Sequence, residues 1–342
     1  MVTIALCNKS HLVCYSNMKH FLSIFLLLLS LGAAAQHEEW RTSIRDTSYN
    51  TPGDYRKNLK NYPFIKLVPD STTAQVKEWR NLTYCQVGDR ALHLDAFAPA
   101  KKPKKAGTAI LIIHGGGWRS GNRTQHIPLA QHLARLGYTC FTVEYRLSTD
   151  AFYPAAVNDI KSAVQWVRAN AKKYHIKPDQ IAIMGFSAGG QLAALNGVTS
   201  VTDLFDKNSC NKGQSSAVQA VIDIDGTLSF VHPESSELKN PQQTGASAQW
   251  IGYTMIERPE IWKEASPFTY AERNTVPFLF LNSAVERMHA GRDDFKKLMD
   301  KKGVYTEIVN FKDTPHSFCL YQPWFNPMVN NIDSFLKKVF NN

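Results

Sequence analysis

Closely spaced cysteine pairs are missing from this sequence. The chain has six cysteines in 342 residues, none in a Cys-X-X-Cys spacing, so neither a zinc ribbon nor a dithiol redox centre is written into it. Internal repeats and low-complexity tracts are absent too, so nothing points to a solenoid. No basic stretch carries a nucleic-acid-binding signature; Lys101-Lys102-Pro103-Lys104-Lys105 sits between two strand-like segments and reads as a solvated loop. The longest apolar run, Phe21 to Gly32, falls short of the ~20 residues a membrane span needs.

That run has a different logic. Met18-Lys19-His20 supplies a basic start, Phe21 to Gly32 an apolar core, and Ala33-Ala34-Ala35 a small-residue cleavage site. The expectation is a cleaved signal peptide starting at Met18 and ending near Ala35, and a secreted or periplasmic product. No cysteine follows the small residues, so a lipid anchor is not expected. Four cysteines remain after the cleavage site: Cys85, Cys140, Cys210 and Cys319. Cys85 and Cys140 fall in strand-like segments and are expected to be buried free thiols.

What is present is an ordinary globular composition, 44% hydrophobic and 20% charged, with a net charge of +10 that favours anionic partners. Residues 36–75 are polar and irregular, and read as a segment that wraps the domain or contributes to a lid. Residues 76–342 read as the main domain. Asn81–Val87 and Ala91–Ala98 alternate across Gly88-Asp89, the pattern of an antiparallel hairpin. Thereafter apolar strands (109–114, 139–144, 181–184, 217–224, 277–282, 305–311) alternate with helical patterns near 125–136, 155–173, 293–302 and 330–340. Such alternation implies an α/β fold with a doubly wound, mostly parallel sheet and an antiparallel N-terminal hairpin. The stretch 226–274 exceeds a simple crossover, and its Trp250, Tyr253, Trp262 and Phe268 suggest a small lid insertion over 228–274.

The chemistry centres on Gly185-Phe186-Ser187-Ala188-Gly189. A strand that turns at once into a helix strains its central residue, and flanking glycines make room for it. The hydroxyl of Ser187 then stands above the sheet edge while the helix N-terminus presents N–H groups to any anion formed there. A serine hydroxyl needs a base near neutrality. His316, in Asp313-Thr-Pro-His-Ser after the last strand, occupies the topological point for one.

His114-Gly115-Gly116-Gly117-Trp118 follows a buried strand, and Glu144-Tyr145-Arg146-Leu147 precedes Tyr153-Pro154-Ala155-Ala156 and Asp159. With the Ser187 motif in that order, the span 76–340 resembles hormone-sensitive-lipase-type carboxylesterases of the α/β-hydrolase superfamily, especially their feruloyl- and acetyl-esterase-like (BD-FAE-like) branch. The resemblance implies that Gly116, Gly117 and Ala188 supply the oxyanion-hole N–H groups, and that Arg146 and Asp159 are structural partners. It implies a secreted serine esterase without cofactor, acting on acetylated plant-type polysaccharide such as pectin or xylan. A general lipase or carboxylesterase, or a non-catalytic binding protein on the same fold, are the alternatives. Trp118 and Trp324 are candidates for a sugar- or aryl-binding surface.

The triad acid departs from the family pattern, which places Asp after the strand ending at Asn282. Glu286 occupies that spacing. Asp293 lies further on in His289-Ala-Gly-Arg-Asp-Asp and otherwise serves a helix N-terminus. Asp225, after the preceding strand, is the third choice.

Overall fold

The computed structural model describes residues 38–340 apart from 201, 203, 207 and 208. The expected signal peptide at 18–35 lies outside the described residues.

Eight strands form the central sheet: β1 (Val76–Val87), β2 (Arg90–Pro99), β3 (Gly107–Ile113), β4 (Thr139–Val143), β5 (Ile176–Phe186), β6 (Ala220–Ile224), β7 (Phe278–Asn282) and β8 (Thr306–Asn310). Their spatial order is β1-β2-β4-β3-β5-β6-β7-β8. β1 and β2 make an antiparallel hairpin, β2 pairs antiparallel with β4, and every later pairing is parallel. Inner strands carry apolar residues on both faces because both faces are covered. In β3, Leu111 and Ile113 join one core cluster while Ile110 and Ile112 join the other; Phe278 and Phe280 divide from Leu279 and Leu281 in the same way along β7. The period of two along a strand sets that division.

Helix α1 (Thr51–Asn58) belongs to the N-terminal segment, and α2 (Ile127–Arg135) and α6 (Phe325–Phe340) cover one face of the sheet. α3 (Ala155–Ala169), α4 (Ala188–Val198) and α5 (Arg292–Lys301) cover the other. Every residue of α4 is buried. Its small residues are what allow that: a Cβ on Gly197 would lie 2.2 Å from Val221 Cγ2, and one on Gly190 2.4 Å from Asp223 Oδ1. Among the described residues no helix is long and apolar enough to cross a membrane.

The N-terminal segment is tied down at several points. Lys66–Leu67 pairs antiparallel with Tyr321–Gln322, and Gln131 Oε1 accepts the Ser71 N–H at 2.9 Å. Asp46 forms an ion pair with Arg119 at 2.7 Å, which fastens the segment beside the glycine loop. The stretch between β6 and β7 folds into short helices at Ser236–Lys239, Ala246–Ile251 and Pro259–Glu264. Trp250 and Trp262 there are among the largest fully buried side chains, with Phe230 5.6 Å from Trp262. These aromatics anchor the insertion to the body.

The expectation of a free thiol at Cys85 is corrected. Cys85 on β1 is bonded to Cys210, with Cα atoms 5.4 Å apart, while Cys140 and Cys319 are free and buried. The loop between α4 and β6 crosses α3 to reach the hairpin. Asn211 Nδ2 donates there to Tyr84 O at 2.9 Å and to Ser162 O at 3.0 Å, which sets Cys210 against Cys85. Local sequence around either cysteine says nothing of that path.

Candidate active site

β5 ends at Phe186 and α4 begins at Ala188, so Ser187 alone makes the corner, at φ 56° and ψ −120°. That strained backbone persists because its neighbours permit nothing else. A Cβ on Gly185 would lie 2.0 Å from Gly189 O, and one on Gly189 2.2 Å from Ile113 O. The Ser187 N–H donates to Ile224 O at 2.8 Å, which ties the corner to the end of β6.

Three side chains meet above the sheet. His316 Nε2 is 2.8 Å from Ser187 Oγ, and His316 Nδ1 is 2.9 Å from Asp225 Oδ2. The imidazole also packs on Phe186, ring centroids 4.8 Å apart. Asp225 stands at φ 53° just past β6, fully buried. Its Oδ1 accepts the Ser283 N–H at 2.8 Å and Asn282 Nδ2 at 3.3 Å. Burial alone pushes this carboxyl up; interactions with His289, His316 and Ser283 outweigh burial and hold it well below the usual carboxylate range. It is a fixed anion behind the imidazole.

The carboxylate expected after β7 is therefore corrected: His316 meets Asp225, not Glu286 or Asp293. Glu286 is exposed at the start of a 3-10 turn, Glu286–His289. Asp293 is exposed in the first turn of α5, in an ion pair with Arg292 at 2.8 Å. The reason is spatial. β6 is the direct neighbour of β5, so Asp225 leaves the sheet one strand from Ser187. The backbone after β7, where the family pattern puts an acid, instead gives its Ser283 N–H to Asp225. The sequence signal was an Asp-Gly pair at the end of a buried strand, a place where a positive φ is common.

The glycine loop after β3 is shaped by its own backbone. Gly116 has φ +123°, and a Cβ there would meet Ser120 O at 2.3 Å. Gln125 Oε1 accepts the Gly115 N–H at 2.8 Å, Tyr145 Oη donates to His114 O at 3.0 Å, and the Tyr145 ring stacks on His114 at 4.4 Å. Gln125 and Tyr145 are supports that sequence reasoning missed. Gly117, Trp118, Ser187, Ala188 and His316 line a cleft of about 380 Å³. A second arm of about 250 Å³ reaches Ser187 past Gly116, Tyr49 and Asp46. The N-terminal segment thus forms one wall.

Arg146 holds Asp159 through a forked pair at 2.7–3.1 Å, in keeping with a structural role. Trp118 is buried, stacks on Trp250 at 4.9 Å and donates Nε1–H to Gln191 Oε1 at 3.0 Å, so only part of it is left to line the cleft. Trp324 packs instead against Tyr62 and Phe64, outside the residues lining either arm, and is not brought to the site.

A serine on a strained corner, an imidazole after the last strand and a buried carboxylate, beneath this strand order, define an α/β-hydrolase. Within that class the chain belongs to the BD-FAE family, whose model matches residues 94–288. It is 29% identical over 202 residues to Esterase LipC of Mycobacterium tuberculosis, covering 57% of this chain and 48% of that one. It spans about half the length of the curated relatives it matches. Among solved structures, an esterase of Thermogutta terrifontis is 26% identical with a TM-score of 0.62, covering 80% of this chain and 93% of that one. A truncated carbohydrate esterase from gut microbiota shares the fold at 23% identity and a TM-score of 0.63, covering 79% and 100%.

Proposed function

We propose that this protein hydrolyses carboxylic esters through an acyl-enzyme at Ser187, and that its substrate is an acetylated polysaccharide. The observation that carries the reaction is the continuous chain Ser187–His316–Asp225 at 2.8 and 2.9 Å. Ser187 Oγ attacks the ester carbonyl while its proton passes to His316 Nε2. The oxyanion is met by the N–H groups of Gly116, Gly117 and Ala188. Collapse expels the alcohol, which takes the proton from His316. Water then attacks the acyl-enzyme, again giving its proton to His316, and releases the carboxylic acid and free Ser187. Asp225 holds the tautomer and stabilises the imidazolium at each stage. A binding protein has no use for this alignment.

The lining of the cleft favours a sugar over a lipid. Thr227, Ser236, Glu237, Gln243, Ser247 and Arg287 surround the serine, groups suited to hydroxyls rather than to an alkyl chain. Arg287 is exposed and forms no ion pair among the described residues, and without Lys9 and Lys19, which precede the expected cleavage site, the net charge of +10 falls only to +8, both suited to an acidic polymer such as pectin. Relatives named as esterases and a carbohydrate esterase among the structural neighbours support the same reading. The export reading is supported by the leader at 18–35 and by the Cys85–Cys210 bond, which suits an oxidising compartment.

The test is acetate release from acetylated pectin and acetylated xylan, beside hydrolysis of p-nitrophenyl butyrate. Release from either polymer, lost in Ser187→Ala, is expected. Turnover of the small ester alone would favour the general carboxylesterase.

A further inference from the structure

The turn after β7 brings a second histidine near Asp225. His289 closes the 3-10 turn Glu286–His289, and its side chain is 15% exposed. Its Nε2 is buried, has no hydrogen-bond partner among the described residues, and lies 3.7 Å from Asp225 Oδ1. A buried ring nitrogen left alone costs about 1–3 kcal/mol, so its direction calls for a reason. Among the described residues, the carboxylate it faces at that distance is the one bonded to His316.

Asp225 Oδ1 can take it in exchange for the weaker of the two contacts it already accepts. Each carboxylate oxygen accepts about two hydrogen bonds. Oδ2 takes His316 Nδ1, and Oδ1 takes the Ser283 N–H at 2.8 Å with the weaker Asn282 amide at 3.3 Å. His289 approaches the same oxygen from the segment in which the family pattern would place the acid. We propose that His289 is a positioning residue for the triad: through Nε2–H it donates to Asp225 Oδ1, fixes the carboxylate's rotation and tempers its pull on His316. The present 3.7 Å is longer than a hydrogen bond, and catalytic contacts of this kind commonly tighten when substrate is bound. With the proton on Nε2, or on both nitrogens, the ring is a donor toward Asp225.

Other charges surround this corner. Arg287 and Glu286 share the turn. Arg292 on α5 donates to Asn282 Oδ1 at 2.8 Å, and Asp223 on β6 interacts with both Asp225 and Arg292. From the insertion, Glu234 accepts the Gly291 N–H at 3.1 Å and His232 meets Asp294 at 3.3 Å. None of these lies within ion-pair distance of Asp225; His289 and His316 do.

The inference rests on the esterase reading, and its test separates the two. His289→Leu removes the donor and keeps bulk; His289→Gln keeps an N–H near the Nε2 position. Without the donor the carboxylate is more basic and favours the imidazolium, so the acid limb of the kcat/KM profile on p-nitrophenyl acetate moves to higher pH. The expected loss at the plateau in His289→Leu is about tenfold, the worth of one charge-assisted hydrogen bond, with most of it restored in His289→Gln. The downfield proton resonance of the His316–Asp225 hydrogen bond should also shift in His289→Leu and return in His289→Gln, a signal that needs no turnover. An unmoved resonance and an unmoved acid limb, even with a lowered melting temperature, would reduce His289 to packing. A wild-type protein that shows the resonance shift between variants but hydrolyses no ester would overturn the esterase reading and leave the His289 contact standing.

Discussion

Asp225 accepts His316 Nδ1 at 2.9 Å across 91 residues of chain, from the end of the strand next to the one that carries Ser187. The carboxylate is buried and fixed by Ser283 and Asn282, and the imidazole lies between it and the serine. Asp225→Asn preserves the volume and removes the charge that holds the tautomer, so turnover of p-nitrophenyl acetate should fall by about 10⁴. Glu286→Gln and Asp293→Asn, both exposed, should stay within about twofold of wild type, since surface substitutions away from the chemistry have small effects. A dead Glu286→Gln beside an active Asp225→Asn would refute the assignment.

In the proposed reaction Ser187 and His316 share one proton transfer, so their losses should not add. Either Ser187→Ala or His316→Ala should lower turnover by about a millionfold, and the double variant should be little worse. Losses that multiply would mean that the two side chains serve separate steps. Mass spectrometry after a fluorophosphonate probe should place the adduct on Ser187.

The Cys85–Cys210 bond closes a loop of 125 residues between the edge hairpin and the segment that enters β6. Cross-linking so long a loop restricts the unfolded chain strongly. Cys85→Ser, or reduction of the wild type, should cost about 2–5 kcal/mol in denaturant unfolding. Cys140→Ser keeps the bond and should lose as much on reduction as wild type does, whereas Cys85→Ser should be indifferent to reductant. Non-reducing peptide maps that show Cys85 alkylated would remove the bond.

What could be read from sequence here was what local sterics impose. The strand-to-helix corner at Ser187 needs Gly185 and Gly189 because their missing Cβ atoms would strike Gly189 O and Ile113 O, and that need is visible in five residues. His316 was readable from its place after the last strand. Asp225 was harder, since three carboxylates end or follow strands and only the packing of β6 against β5 decides which one reaches His316. Cys210 faced the same obstacle: its partner depends on a loop crossing α3, a fact of tertiary path. Trp118 and Trp324 look alike in sequence, yet one borders the cleft and the other packs under the N-terminal segment. The strands and the major helices were legible because their apolar periods reflect burial on two faces; the insertion's short helices carry too few residues to show a period.

Acid should destabilise the fold in two windows that overlap only at their edge. His114 and His126 are buried, and burial pushes them down to about 4 and about 3. In the unfolded chain they protonate near 6.5. Below that pH the unfolded state takes up protons that the folded state refuses, so their contribution is full above about 6.5 and declines as pH falls toward 4 for His114 and 3 for His126. Each such group adds up to about 1.4 kcal/mol of lost stability per pH unit in its window. Asp225 works lower: its carboxyl is depressed in the fold, so it contributes above the unfolded value near 3.9 and that contribution drains away only below it. Between pH 6.5 and 4.5 the histidines should therefore dominate. His126→Gln removes one titrating ring at similar volume, and its urea-unfolding free energy should fall with pH less steeply than wild type by about 1 kcal/mol per unit across that range. The slope, not the absolute stability, is the readout, because the substitution also alters a buried contact. Parallel curves for the two proteins would show that His126 accepts its proton inside the fold without penalty.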